Sequence, residues 1–229
     1  WKINTRGGQS RYLELKDVLL LNLLENTANQ GWERPIYFAN TVTPSNFLKL
    51  DPFLRQEGLA YRILPVKKPG FSDRFDQFSG NIDKGRMYDN LMNKFRFRNL
   101  NKPGTYFDEN IIRMVSNYHN TFHRLIGSYI RDADQLQRGI SSMESQIAGG
   151  SPAADSLQAI VDNNKVVVAD YRSKAANLAA AAEEKFPIEI ATPEPYLIVR
   201  TAISWNQLGD KEKADKYFNM AKDRVIQSL

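Results

Sequence analysis

The sequence predicts two architectures in one chain: a small α/β unit built on a parallel βαβαβ sheet, followed by an all-α domain of paired helices. Three observations predict it. β-rich runs alternate with helical periodicity from Arg11 to Lys68, which is the pattern of βαβ units. Helical periodicity alone fills the chain after Asp108, and the last residues space small and aromatic side chains as a helix-turn-helix repeat does. We therefore expect a small α/β domain over 1–107 and a helical domain over 108–229.

In the first half, residues 12–15 (Tyr12, Leu13, Glu14, Leu15) read as a strand, and Asp17 as the cap of a helix with Val18, Leu21, Leu24 and Ala28 on one face. Gly31 supplies that helix with a left-handed stop. A second strand is predicted over 35–39. Thr43-Pro44-Ser45 open another short helix, Gly58 closes it, and a third strand covers 59–64. Parallel connections of this kind are right-handed crossovers. Residues 67–85 read as a long loop anchored by Phe71, Phe75 and Phe78, and 87–95 as a short helix ahead of the Pro103-Gly104 turn.

In the second half, Asp108 starts a helix with Ile111, Ile112, Val115, Tyr118, Phe122, Leu125, Ile126 and Tyr129 at apolar positions. Residues 139–165, with Gly149-Gly150-Ser151-Pro152 inside, interrupt the periodicity. An Ala-rich helix over 166–186 stops at Pro187. Ala202, Trp205, Leu208-Gly209-Asp210, Ala214, Phe218 and Ala221 then fall at the spacings of a tetratricopeptide (TPR) unit, two helices in ~34 residues whose small side chains allow close approach. Helices 108–131 and 166–186 would form the preceding unit, with 132–165 as an insertion. An ordinary antiparallel helix hairpin is the competing reading.

The chain carries a net charge of +5, unevenly distributed. Residues 1–107 hold 17 Lys+Arg against 10 Asp+Glu, net +7; 108–229 hold 14 against 16, net −2. Such an excess suits anionic surfaces, but no nucleic-acid recognition motif accompanies it, so nucleic acid is not expected as a partner. The absence of cysteine excludes disulfides, thiolate metal sites and cysteine nucleophiles. The richest apolar run, from Val18 to Leu24, is broken by Asn22 and falls short of the ~18–20 residues of a spanning helix. A start at Trp1, without Met, and without a basic and then apolar leader, leads us to expect a piece of a longer protein.

Four blocks carry a family resemblance. They run from Lys16-Asp17-Val18-Leu19-Leu20-Leu21-Asn22, through Gly31-Trp32-Glu33-Arg34-Pro35-Ile36-Tyr37-Phe38-Ala39 and Glu57-Gly58-Leu59-Ala60-Tyr61-Arg62-Ile63-Leu64-Pro65-Val66-Lys67, to Met87-Tyr88-Asp89-Asn90-Leu91-Met92-Asn93-Lys94-Phe95. In this order they resemble the C-terminal region of Bacteroidetes protein-O-mannosyltransferase-like multi-spanning membrane proteins, which ends in TPR-like helices. The resemblance covers nearly the whole chain. It implies a soluble domain of an integral membrane protein on the periplasmic side of the inner membrane, with the reaction centre in a membrane-embedded part that this chain lacks. It carries over no catalytic residue and no cofactor.

Candidate sites follow from residue types. His119 and His123, the only histidines, stand four apart on one helix face, yet no Glu lies between them as a metalloprotease motif requires, so we read them as packed histidines and expect no metal. Trp32, Arg34 and Tyr37 cluster where a helix hands over to a strand; Arg34 suits a phosphate or carboxylate, and Trp32 suits stacking on a sugar. Asn40, Thr41, Thr43 and Ser45 follow a strand end and read as capping residues. Arg86, Lys94, Arg96 and Arg98, interleaved with Phe95 and Phe97, are candidates to face an anionic membrane surface. Arg113, Asn117, Arg200 and Asn206 are candidate liners of a TPR groove that takes a protein or glycan partner. The expected function is a non-catalytic accessory domain of a membrane glycosyltransferase-like protein. A freestanding TPR adaptor is the alternative.

Overall fold

The computed structural model describes residues 13–67, 82–190 and 194–227. Most of it is helical, with one small sheet. Contacts divide the chain into two compact units, 1–93 and 94–229.

The first unit opens with α1 (Leu15–Asn29). Residues 13 and 14 are not strand, in contrast to the expectation for 12–15, and Tyr12 lies outside the described residues. Glu14 is the N-cap, and Asp17, three residues on, accepts the Glu14 N–H at 3.0 Å in a capping box. Gly31 ends the helix at φ +65°, as the sequence predicts, and Trp32 follows it into the left-handed region at φ +62°. The loop expected around Phe71, Phe75 and Phe78 lies mostly outside the described residues.

Three strands follow: β1 (Tyr37–Ala39), β2 (Leu54–Gln56) and β3 (Ala60–Ile63), in the order β1-β3-β2. Both pairings are antiparallel, with Phe38 opposite Tyr61 and Leu54 opposite Ile63, so the expected parallel βαβαβ sheet is corrected. For β2 and β3 the reason is chain length. Only residues 57–59 join β2 to β3, whereas a parallel pair needs a crossover of about a dozen residues or more. The helix expected between Thr43 and Gly58 is replaced by two single 3₁₀ turns, Pro44–Asn46 and Asp51–Phe53, and then β2. Leu48 and Lys49, at φ +50° and +59°, break the right-handed run between those turns. Phe47, Leu50, Leu54 and Ile63 form the core of this unit, and Leu20 and Leu24 of α1 pack onto it with Trp32 and Phe38. A short helix α2 (Lys84–Asp89) begins at the Asp83 cap and widens into a π turn over Asn90–Lys94.

The second unit is a long helical hairpin with a shorter one. Asp108 caps α3 (Glu109–Ala148) by accepting the Ile111 N–H at 2.8 Å. Helix α4 (Ala154–Lys185) returns antiparallel after the turn at Gly149 and Gly150. Residues 132–165, expected as an insertion that interrupts the periodicity, are the distal halves of these two helices and the turn between them. Their seam keeps a seven-residue repeat: Ala133, Leu136, Ile140, Met143 and Ile147 on α3, and Val161, Val168 and Tyr171 on α4. Ala133, Ile140 and Val161 are fully buried there.

Helices α5 (Pro195–Leu208) and α6 (Lys211–Gln227) form the second hairpin, turned by Gly209 at φ +90°. Ala202, Trp205, Ala214 and Ala221 are buried, as the repeat spacing predicts. The inward aromatic on α6 is Tyr217 instead of Phe218, which is 41% exposed. Among the described residues no helix is long and apolar enough to cross a membrane. Ala214 is 2% exposed, so Ala214→Leu should overpack this hairpin and cost about 1–3 kcal/mol, read as a lowered urea midpoint. An unchanged midpoint would mean that the position tolerates bulk and that the hairpin contact is loose.

Candidate functional site

Glu57 is the charge around which the first unit is arranged. It sits in the β2–β3 turn, 8% exposed, and its carboxylate accepts the Tyr37 hydroxyl at 3.1 Å and Arg86 Nη1 at 3.1 Å, with Arg62 Nη1 at 3.6 Å. Asn90 Nδ2 donates to its backbone carbonyl. Burial, then the Glu57 bond, push the Tyr37 hydroxyl pKa upward. Tyr37 and Arg62 are cross-strand partners and share one face of the sheet. Phe38 and Tyr61 point to the opposite face, where the first lies tilted and the second edge-on against Phe47.

Trp32 packs on that opposite face and lines a cleft of about 400 Å³ with Leu21, Leu24, Phe53, Ile63 and Glu25. Trp32, Arg34 and Tyr37, adjacent in sequence, therefore do not form one site: Arg34 is exposed, Trp32 belongs to the apolar cleft and Tyr37 to the Glu57 clamp. Thr43 stands at the N-cap position of the first 3₁₀ turn, but its side chain makes no cap bond to the backbone; its Oγ1 accepts from Asn46 Nδ2 at 3.0 Å instead, so the expected side-chain cap is not formed there.

The four cations Arg86, Lys94, Arg96 and Arg98 have different surroundings. Arg86 is paired with Glu57 and Asp83 in the first unit. Lys94, Arg96 and Arg98 belong to the second unit and are exposed, while Phe97 turns inward onto Tyr118, Phe122 and Phe186 at 5.3, 6.0 and 5.1 Å.

Both histidines are buried in the second unit, at 4% and 7% exposure for His119 and His123. His123 Nε2 meets Thr201 Oγ1 at 3.2 Å, and its Nδ1 meets Ser204 Oγ at 3.4 Å, which ties α3 to α5. His119 lies edge-on to Phe186, with ring centroids 4.8 Å apart, and its Nε2 has no hydrogen-bond partner among the described residues. The two rings, with Trp205, Tyr217 and Glu183, line a cavity of about 20 Å³, the size of one water molecule. Tyr217 donates to Glu183 at 2.7 Å and Lys213 pairs with the same carboxylate at 2.8 Å. The pair does not gather a metal site: among the described residues no cluster of three or more His, Asp or Glu is placed to hold an ion.

A polar stripe runs beside these histidines. Arg113, Asn117, Asn120 and Arg124 recur on one face of α3 within about 60° of arc, and Tyr196, Arg200 and Ile203 do the same on α5. The two stripes meet where Arg200 Nη1 donates to Asn120 Oδ1 at 2.8 Å and Asn120 Nδ2 donates to the Tyr196 hydroxyl at 2.9 Å. Burial, and then the neighbouring Arg124 charge, lower the pKa of Arg200, against a raising effect from Tyr196. Of the predicted groove liners, Arg113, Asn117 and Arg200 lie on these stripes. Asn206 lies about 120° around α5 from Arg200. Asn120, Arg124 and Tyr196 were not singled out by sequence, although the i, i+4, i+7, i+11 spacing on α3 contains the signal.

Burial makes the helical unit acid-sensitive. Desolvation holds His119 at about 4, against Glu189 and a Phe186 backbone bond that raise it, and pulls His123 downward too. The unfolded chain therefore takes up these protons first; stability is full above about pH 6.5 and lost as pH falls toward 4. The gap at His119 alone corresponds to about 3 kcal/mol between those plateaus. Urea unfolding at about pH 7.5 and about pH 4.5 should show that loss, and His119→Leu should shrink it. Equal unfolding free energies at both pH values would mean the ring is solvated.

Residues 2–84 match the family model described as TMEM260-associated domain 2. The match spans α1 and all three strands and ends as α2 begins. No curated protein and no solved structure matches the chain. The first unit is thus similar to a domain associated with TMEM260.

Proposed function

We propose that the chain is a non-catalytic, extracytoplasmic accessory domain of a membrane glycosyltransferase-like protein of the O-mannosyltransferase-like kind, and that it binds a protein or glycan partner. The observation that carries this reading is the match of residues 2–84 to TMEM260-associated domain 2. It falls on the segment whose Gly31–Ala39 and Glu57–Lys67 blocks resemble the tails of protein-O-mannosyltransferase-like membrane proteins. In this reading the domain sits on the periplasmic side of the inner membrane. The α5–α6 hairpin serves as a TPR-like element that presents the α3–α5 stripe to the partner.

The state of the ionisable groups supports a binding role over a catalytic one. Glu57 is held by two arginines and a tyrosine, Glu183 by Lys213 and Tyr217, and both histidines are desolvated in the neutral form. These are the surroundings of structural groups; a general base instead requires a reactive atom within reach of substrate.

The purified chain should transfer no sugar from a lipid-linked mannosyl donor. The parent protein with this region deleted should still insert in the membrane and lose transfer to its polypeptide acceptor. Turnover by the isolated chain that disappears when one of its carboxylates is replaced would overturn the proposal.

A further inference from the structure

Two side chains in the wall of one cavity each carry a buried nitrogen with no hydrogen-bond partner among the described residues: His119 Nε2 on α3 and Trp205 Nε1 on α5. A polar atom withdrawn from water is rarely left so. The two nitrogens are complementary. An indole N–H can only donate. The backbone bond at Phe186 that favours a protonated His119 ring is one that the ring donates, and it falls to Nδ1 because Nε2 is unpartnered. In the neutral ring Nε2 therefore offers only a lone pair. Donor and acceptor do not reach each other, so a molecule that joins them has to accept one hydrogen and donate another.

The space matches that requirement. The cavity measures about 20 Å³, and one water needs about 10–15 Å³ on the same measure, so it admits a single water and excludes any organic ligand. Phe122, Ile126 and Ile188 make part of the wall apolar, and a wholly apolar cavity stays dry. The two nitrogens reverse that expectation here. Glu183 lies on the same wall; its carboxylate accepts Tyr217 at 2.7 Å and Lys213 at 2.8 Å and keeps lone pairs on both oxygens.

We propose that this cavity binds one ordered water, which accepts from Trp205 Nε1 and donates to His119 Nε2, with the Glu183 carboxylate as the acceptor for its second proton. The three groups come from α5, α3 and α4, and Tyr217 of α6 holds Glu183 in place. The water is thus a joint of four helices, at which the second hairpin is seated on the long one. Hydrogen bonds have direction, which apolar contact lacks. Together with the His123 contacts to Thr201 and Ser204, the joint fixes the rotation of α5 against α3. This site is independent of the function proposed for the chain.

The test uses the full chain at about pH 7.5, where His119 is neutral. Magnetic relaxation dispersion of ¹⁷O counts waters held longer than the tumbling time of the molecule, and hydroxyl protons do not enter it. The wild type should hold about one such water more than His119→Leu/Trp205→Phe, which removes both partners. Its Trp205 indole proton should also show a nuclear Overhauser contact to water. Thermal midpoints establish that the variants are folded. Ala179→Val, whose added methyl groups occupy the cavity, is a second route to the same loss if the double variant unfolds. Equal dispersion in the wild type and a folded variant would overturn the proposal, and so would the absence of the Overhauser contact in the wild type. An Overhauser contact with unchanged dispersion would overturn it too, by assigning the signal to the exchanging Tyr217 hydroxyl.

Discussion

The helical unit depends on the burial of one ring. Phe186 is fully enclosed and meets Phe97, His119 and Phe122 at 5.1, 4.8 and 5.0 Å, each pair worth about 0.5–1.5 kcal/mol beyond its buried area. It is the C-cap residue of α4, extended at φ −150°, and Pro187 prevents the helix from continuing. One side chain thus fixes where α4 stops, draws in the segment that carries Phe97 and sets the rotation of α3. The rotation decides the rest: with His119 against Phe186, His123 one turn on must face Thr201 and Ser204 of α5. Asn120, between them in sequence, comes opposite Arg200. The polar stripe and the acid-sensitive core are two faces of the same helix, set by the same ring.

The first unit solves a different problem. Strands of three or four residues bury little on their own, and a sheet of this size needs further support. Apolar packing of α1 covers one face. On the other, a single carboxylate in the β2–β3 turn links β1 through Tyr37, β3 through Arg62 and α2 through Arg86. The charge of Glu57 is nearly withdrawn from water, and loss of both arginines would leave it a buried unpaired charge, which costs of order 3–5 kcal/mol.

The two lines of functional reasoning fall on different parts of the chain. The similarity to a TMEM260-associated domain lies within 2–84, in the sheet unit, whereas the polar stripes joined by Asn120 and Arg200 lie on α3 and α5. The sheet unit carries the similarity to that domain, and the helical unit carries the polar stripe.

The sequence by itself determined what local forces decide. The Asp108 cap, the Gly31 and Gly209 stops, and the burial of Ala202, Trp205, Ala214 and Ala221 were legible because each depends on residues within a turn or two. The length of α3 and α4 was encoded as well, since 133, 136, 140, 143 and 147 keep a heptad seam. Polar residues between those positions and the Gly149-Gly150 turn masked it. What the tertiary structure alone decided is pairing. Alternating apolar residues in strands this short carry no sign of direction, and the brevity of residues 57–59 became decisive only once 54–56 was seen as strand and not helix. The same holds for the site. Arg200 reads as one of many surface cations until folding brings Asn120 and Tyr196, separated by 76 residues, within 2.9 Å and sets Arg124 beside it. Solvation and charge compensation depend on neighbours distant in sequence, and no local pattern records them.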